Sequence, residues 1–397
     1  MARSLLSSAA ALATCAVVFC AGSSSALPGP KPPSPFPRPQ AISSVTVFDP
    51  PADYRDPQVL YARTAQLPNN DLLLTWENYS PEPPPVYFPI YRSKDAGKTW
   101  AELSRVQDKG GRGFGLRYQP ELYVLPERIG AFPKGTLLLA GSSIPSDLSS
   151  THLELYASRD DGKTWEFVSH VASGGEAVPN NGLTPVWEPF LMAHQGKLIY
   201  YYSDQRDNAT YGQKLVHQTS ADLRSWGPIV DDVTYPTYTD RPGMPTVARL
   251  PDGNYIYAYE YGGGPNPAKT DGYSFPVYYR LSRDPEAFDS APHHPIRIPQ
   301  QGGVPFVPDG SPFVVWTPAG GPLGTIVVSS GCCSQVFINK KLGAEDAWEI
   351  MDTPAGASYT RSLRVMQQDP SYVMISGGGK LPPAGGTNVV GVSVIKI

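Results

Sequence analysis

Apolar residues along the chain fall into short runs that come in pairs. The first run of each pair ends in a Leu-Pro or similar turn: residues 62–67, 121–125, 190–193, 246–250, 313–317 and 363–367. The second is almost continuously apolar: residues 72–76, 137–140, 198–202, 255–259, 325–329 and 372–375. Runs this short, bounded by Gly, Pro, Asn and Asp, predict buried β-strands. Six pairs predict the innermost and second strands of six blades in an all-β propeller. Residues 388–397 then supply a late strand of the sixth blade, and Ile42–Phe48 is placed to provide its outer strand. Closing the ring in this way removes exposed sheet edges.

A repeat strengthens the propeller reading. Ser93-Lys-Asp95-Ala-Gly97-Lys-Thr99-Trp100 and Ser158-Arg-Asp160-Asp-Gly162-Lys-Thr164-Trp165 share one octapeptide pattern, the Asp box. A shortened copy stands at Ser220-Ala-Asp222-Leu-Arg-Ser225-Trp226, with faded traces at Ser282-Arg-Asp284 and around Asp346-Ala-Trp348. The tryptophans recur at intervals of about 60 residues, one interval being doubled, which suits a four-stranded blade with generous loops. Asp and Ser can bond nearby backbone N–H groups, and Gly takes the positive-φ position of the hairpin. These aspartates are therefore expected to be structural. The 44 Pro and 38 Gly among 397 residues fit the same picture, since frequent breakers exclude long helices.

Charge narrows the partners. With 32 basic and 36 acidic residues, the net charge is −4, which gives no footprint for nucleic acid and no attraction to an anionic membrane. Residues 1–26 read as a secretory signal: one basic residue, an apolar stretch, and Ser24-Ser25-Ala26 as a cleavage site. Residues 27–40 form a Pro-rich linker, and 41–397 the propeller domain. The expected protein is secreted and monomeric. Of four cysteines, Cys15 and Cys20 leave with the signal, so Cys332 and Cys333 remain. In an oxidising compartment these neighbours can form a vicinal disulfide, a rigid plate that faces a ligand. No Cys or His stands beside them at metal-ligand spacing, and neither a metal nor a cofactor is expected. Asn78-Tyr-Ser80 and Asn208-Ala-Thr210 are N-glycosylation sequons.

Strand reversal puts the Asp boxes on one face of the disc. The starts of first strands and the ends of second strands lie on the other, around the central channel. There the chain gathers Glu188, in Trp187-Glu188-Pro189-Phe190, and Glu260, in Tyr259-Glu260-Tyr261-Gly262, from neighbouring blades. Two carboxyl groups among aromatics suit glycoside hydrolysis, one protonating the leaving oxygen and the other attacking the sugar or activating water. Arg63, Arg117, Arg241 and Arg361 have two readings. They clamp a carboxylate substrate as an arginine triad does in sialidases, or they orient the glutamates and bond sugar hydroxyls. Asp204, Tyr211 and Tyr359 are further expected substrate contacts, and Trp187, Tyr261 and the Cys332–Cys333 plate are expected to stack on sugar rings.

The two glutamate motifs, the six-blade layout and the Gly331-Cys-Cys-Ser334 turn resemble glycoside hydrolase family 93, the exo-α-1,5-L-arabinanases. The resemblance runs from about Val45 to the C-terminus. It implies a secreted, metal-free retaining enzyme that releases arabinobiose from arabinan, with Glu188 as nucleophile and Glu260 as acid/base. The residues alone leave those two roles exchangeable. Two other classes share the repeats: a sialidase-like hydrolase of anionic sugars, and a carbohydrate-binding propeller without turnover.

Overall fold

The computed structural model describes residues 37–269, 271–382 and 387–397; the expected signal and most of the Pro-rich linker lie outside them. The chain first lays down β1 (Ile42–Phe48) and then builds five blades in sequence. Blade I is β2 (Val59–Gln66), β3 (Leu72–Asn78), β4 (Phe88–Ser93) and β5 (Ala101–Val106). Blade II is β6 (Gly115–Val124), β7 (Leu137–Ile144), β8 (Thr151–Ser158) and β9 (Glu166–Gly174). Blade III is β10 (Val186–His194), β11 (Lys197–Asp204), β12 (Lys214–Ser220) and β13 (Val230–Val233). Blade IV is β14 (Arg241–Arg249), β15 (Tyr255–Gly262), β16 (Val277–Ser282) and β17 (His293–Pro295). Blade V is β18 (Phe313–Thr317), β19 (Thr325–Ser329), β20 (Val336–Asn339) and β21 (Trp348–Met351). Blade VI joins β22 (Arg361–Val365), β23 (Tyr372–Gly377) and β24 (Val390–Lys396) to β1, which pairs antiparallel with β24. This is the six-bladed, all-β propeller that the paired runs predict.

Second strands are buried on both faces because each blade packs between two others. That is why β3, β7, β11 and β19 read as nearly unbroken apolar runs. Tyr200, Tyr201, Tyr202, Tyr257 and Tyr259 are wholly buried there, and Tyr201 and Tyr259 satisfy their hydroxyls on Pro285 O and Tyr235 Oη.

The octapeptides form the turns between third and fourth strands. In the first, Thr99 N–H and Oγ1 both donate to Asp95, the Gly97 N–H donates to Ser93 Oγ, and Trp100 Nε1 donates to Gly97 O at 3.0 Å. The second repeats this around Asp160, Ser158 and Trp165. Gly97 and Gly162 stand at φ 95° and 86°, where a Cβ is costly. Blade V keeps the logic with other residues: Asn339 Oδ1 accepts from the N–H groups of Lys341 and Gly343.

Candidate active site

The innermost strands are longer than the apolar runs suggest, because each of four extends upstream through a bulge. Pairing slips between Leu60 and Arg63 in β2, Tyr118 and Glu121 in β6, Trp187 and Phe190 in β10, and Gly243 and Thr246 in β14. Inside each slip one residue adopts a left-handed backbone: Tyr61, Gln119, Glu188 and Met244, with φ of 53°, 52°, 61° and 56°. Ser311, just before β18, does the same at 47°. For a residue with a Cβ this conformation costs about 1–3 kcal/mol. In four of these five positions the N–H leaves the ladder and reaches back to the preceding blade. Gln119 N–H donates to Glu77 Oε1 at 2.9 Å, and Glu188 N–H to Gln119 Oε1 at 3.3 Å. Met244 N–H donates to Glu188 Oε2 at 2.8 Å, and Ser311 N–H to Glu260 Oε2 at 2.7 Å. The bulges thus hand each carboxyl group to a donor on the next blade.

Glu188 and Glu260 face each other across Gly243. A Cβ built on that glycine would stand 3.3 Å from Glu188 Oε2 and 3.2 Å from Glu260 Oε1. Those two oxygens are therefore no more than about 6.5 Å apart, where retaining pairs sit at about 5–5.5 Å and inverting pairs at about 6.5–9.5 Å. Ser203 Oγ also donates to Glu188 Oε2 at 2.6 Å, so one oxygen of Glu188 receives two donors and Glu260 receives one. Burial raises both carboxyl groups above their usual range. For Glu188 the bonds from Ser203 and Met244, and the nearby Arg241 and Arg63, work against that rise. For Glu260 the charge of Glu188 adds to burial, and only the Ser311 bond and Arg241 oppose them. The two environments push the pair apart, with Glu188 the better-supported anion.

The pair opens into a cleft of about 510 Å³. Trp187, Phe275, Leu381 and Pro179 supply apolar surface, and Gln213, Arg241, Asp309 and Tyr359 supply polar groups. Of the residues expected at the site, the structure brings Glu188, Glu260, Trp187, Arg241, Tyr359 and Cys332 into this wall. Cys332 and Cys333 are joined; Cys332 faces the cleft while Cys333 packs on the core between blades IV and V. Arg241 donates to Asn181, Gln205 and Gln213.

The remaining expected residues lie off the cleft wall, and each has another partner. Arg63 is buried 3.1 Å from Glu121 and lies over the Tyr61 ring. Arg117 grips both oxygens of Glu82 at 2.8 and 2.9 Å. Asp204 pairs with Arg206, and Tyr211 lies beneath Lys214. Tyr261 stacks flat on Tyr235 at 3.8 Å and donates to Asp240. Arg361 bonds only backbone carbonyls. Sequence reasoning passed over Gln213, Gly243, Phe275 and the 309–311 turn. One signal for these left-handed positions was available: Gln119, Glu188 and Met244 in three of the bulges, and Ser311 before β18, are each followed by proline, a residue confined within sheets to bulges and edges. Among the described residues no group of three or more His, Cys, Asp or Glu is placed to hold a metal ion.

A propeller with two buried carboxyl groups facing across an aromatic-walled cleft has the layout of a glycoside hydrolase. Comparison with solved structures agrees. The GH93 α-L-arabinofuranosidase of Fusarium graminearum, solved with arabinobiose, is 61% identical with a TM-score of 0.87, the match covering 90% of this chain and 98% of that one. The α-L-arabinanase of Penicillium chrysogenum, also solved with arabinobiose, is 61% identical with a TM-score of 0.85, over 90% and 99% of the two chains. The chain belongs to glycoside hydrolase family 93. The NanB sialidase of Streptococcus pneumoniae, at 11% identity and a TM-score of 0.56 over 91% of this chain and 71% of that one, shares the fold alone. No protein-family model and no curated protein sequence matches the chain.

Proposed function

We propose that this glycoside hydrolase is a secreted, monomeric exo-α-1,5-L-arabinanase that releases arabinobiose from arabinan with retention of configuration. The observation that carries the mechanism is the pair on either side of Gly243, whose facing oxygens lie at or below the short end of the inverting range. In this reading Glu260, held protonated by burial and by its neighbour's charge, donates its proton to the leaving glycosidic oxygen. Glu188, with two donors on one oxygen, attacks the anomeric carbon as a carboxylate. Glu260 then takes a proton from the water that hydrolyses the glycosyl-enzyme. The substrate class rests on the two relatives solved with arabinobiose.

The arginines speak against the sialidase alternative. Arg63, Arg117 and Arg361 are committed to Glu121, Glu82 and backbone carbonyls, and among the described residues only Arg241 lines the cleft. Among the described residues no triad is left to grip a carboxylate. Secretion rests on residues 1–26 and a single-chain enzyme on a ring with every blade filled. Asn78 is buried, with 3% of its surface exposed, so Asn208, half-buried with its Nδ2 donating to Gly182 O, is the more accessible sequon.

The test is product analysis on debranched linear arabinan. Arabinobiose is expected from the wild type, and Glu188→Gln and Glu260→Gln are each expected to lower kcat by at least about 10³ while keeping the fold. Turnover that survives in either variant would overturn the assignment.

A further inference from the structure

Arg361 is almost wholly buried, at 1% exposed, and among the described residues it has no acidic partner. Burying a guanidinium without a counter-charge is expensive, and burial pushes this one down to about 10. Its hydrogen bonds show where the cation is spent. Nε and Nη2 donate to Ser330 O at 3.2 and 3.1 Å, Nη1 to Ser334 O at 2.7 Å, and Nη2 to Gln335 O at 2.5 Å. Four bonds from one side chain thus pin the 330–335 turn, which carries Cys332 into the cleft wall.

That turn in turn holds a second one. Ser330 Oγ donates to Asp309 O at 2.8 Å, with Gly310 O at 3.1 Å, and the Gly331 N–H donates to Gly310 O at 2.8 Å. Gly331 also leaves no room for a side chain: a Cβ there would come within 2.7 Å of Tyr359 O and 3.5 Å of the Ser311 side chain. The next residue in the second turn is Ser311, whose left-handed backbone aims its N–H at Glu260 Oε2.

We infer that Arg361 is a positioning residue for Glu260: through the 330–335 turn and the 309–311 turn it fixes the single backbone donor on that carboxyl group. The inference rests on the reading of Glu260 as a reacting carboxyl. It replaces the sugar-contact role expected from sequence, because four of the guanidinium's five N–H donors are already used. Ser330 is the coupling between the two turns.

The donor favours the ionised form of Glu260, so loosening it raises the pH at which this group gives up its proton. Tests use Ser330→Ala, Arg361→Gln and Arg361→Lys in the full chain, with pH profiles of kcat and kcat/KM on linear arabino-oligosaccharides and a melting curve for each variant. The limb belonging to Glu260 is expected to move to higher pH by about half to one unit, the value of one weakened bond to a charged group. The other limb stays in place, kcat falls about tenfold or less, and Arg361→Lys recovers part of the shift. Folded variants whose two limbs coincide with the wild type, or move together, overturn the inference. If Arg361→Gln does not fold, Ser330→Ala decides alone. Turnover by Glu260→Gln would instead remove the catalytic reading on which the inference stands.

Discussion

On the face away from the cleft, each octapeptide turn takes its shape from its own residues. Asp95 accepts from Thr99, Gly97 donates to Ser93, and the bonds that shape the turn span four residues or fewer; a single serine then ties the second and third copies to the preceding blade, Ser104 donating to Gly162 O and Ser169 to Leu223 O. On the cleft face the N–H groups turned out by the bulges find acceptors 42 to 69 residues away, always on the preceding blade. One face is a set of hairpins that are shaped locally and stitched to their neighbours afterwards. The other is a relay in which no donor is satisfied until two blades have docked, and both reacting carboxyl groups belong to it. Local turns hold blades together; the relay holds the chemistry in register.

The sharpest way to break this division is Gly243→Ala. Its Cβ would also meet Gln213 Nε2 at 3.0 Å, so kcat/KM is expected to fall about 100-fold from misplacement of the pair. The melting temperature should drop only a few degrees, as overpacking costs about 1–3 kcal/mol. Asp95→Ala is expected to do the reverse: a loss of about 1–2 kcal/mol in denaturant unfolding and no change in kcat/KM. Exchange of those two outcomes would dissolve the contrast between the faces.

A smaller effect concerns Glu77, which accepts from Gln119 and Tyr79 at the far end of the relay. Burial, working against those two bonds, pushes its carboxyl up to about 7 from 4.5. The folded state therefore keeps a proton that the unfolded chain releases. Its contribution to stability is full below about pH 4.5 and is lost as the pH rises through about 7. The melting temperature should decline over that window, and Glu77→Gln should flatten part of the decline. A slope unchanged in the variant would show that Glu77 is ionised throughout.

What could be read in the sequence divides along the same line. The octapeptides were legible because Ser, Asp, Gly and Trp act within one turn, and a local device leaves a local signature. The second strands were legible because burial on both faces demands unbroken apolar runs. Glu188 and Glu260 stood out as polar residues interrupting those aromatic segments. The bulges were not legible from periodicity, since a one-residue slip flips the alternation and hides the upstream part of each innermost strand. That is how Gly243, a small residue between two prolines, escaped notice although it separates the two carboxyl groups. The arginines misled for a related reason: residue type announces a charge, and only the neighbours on other blades tell whether it is already spent. Arg117 needed Glu82 from blade I, and Arg361 needed a turn of blade V.

The closure of blade VI by β1 carries a consequence for how the protein is made. Among the described residues the first strand, β1, has to wait for β24, since Ile42 pairs with Val394 and Phe48 with Val390. Five blades can form during synthesis, whereas the sixth, which joins β1 to β24, can form only once β24 has been made. The seam between β1 and β24 is therefore a latch, the latest part of the ring to be shut, and a chain cut short by even that one C-terminal strand would be left an open arc.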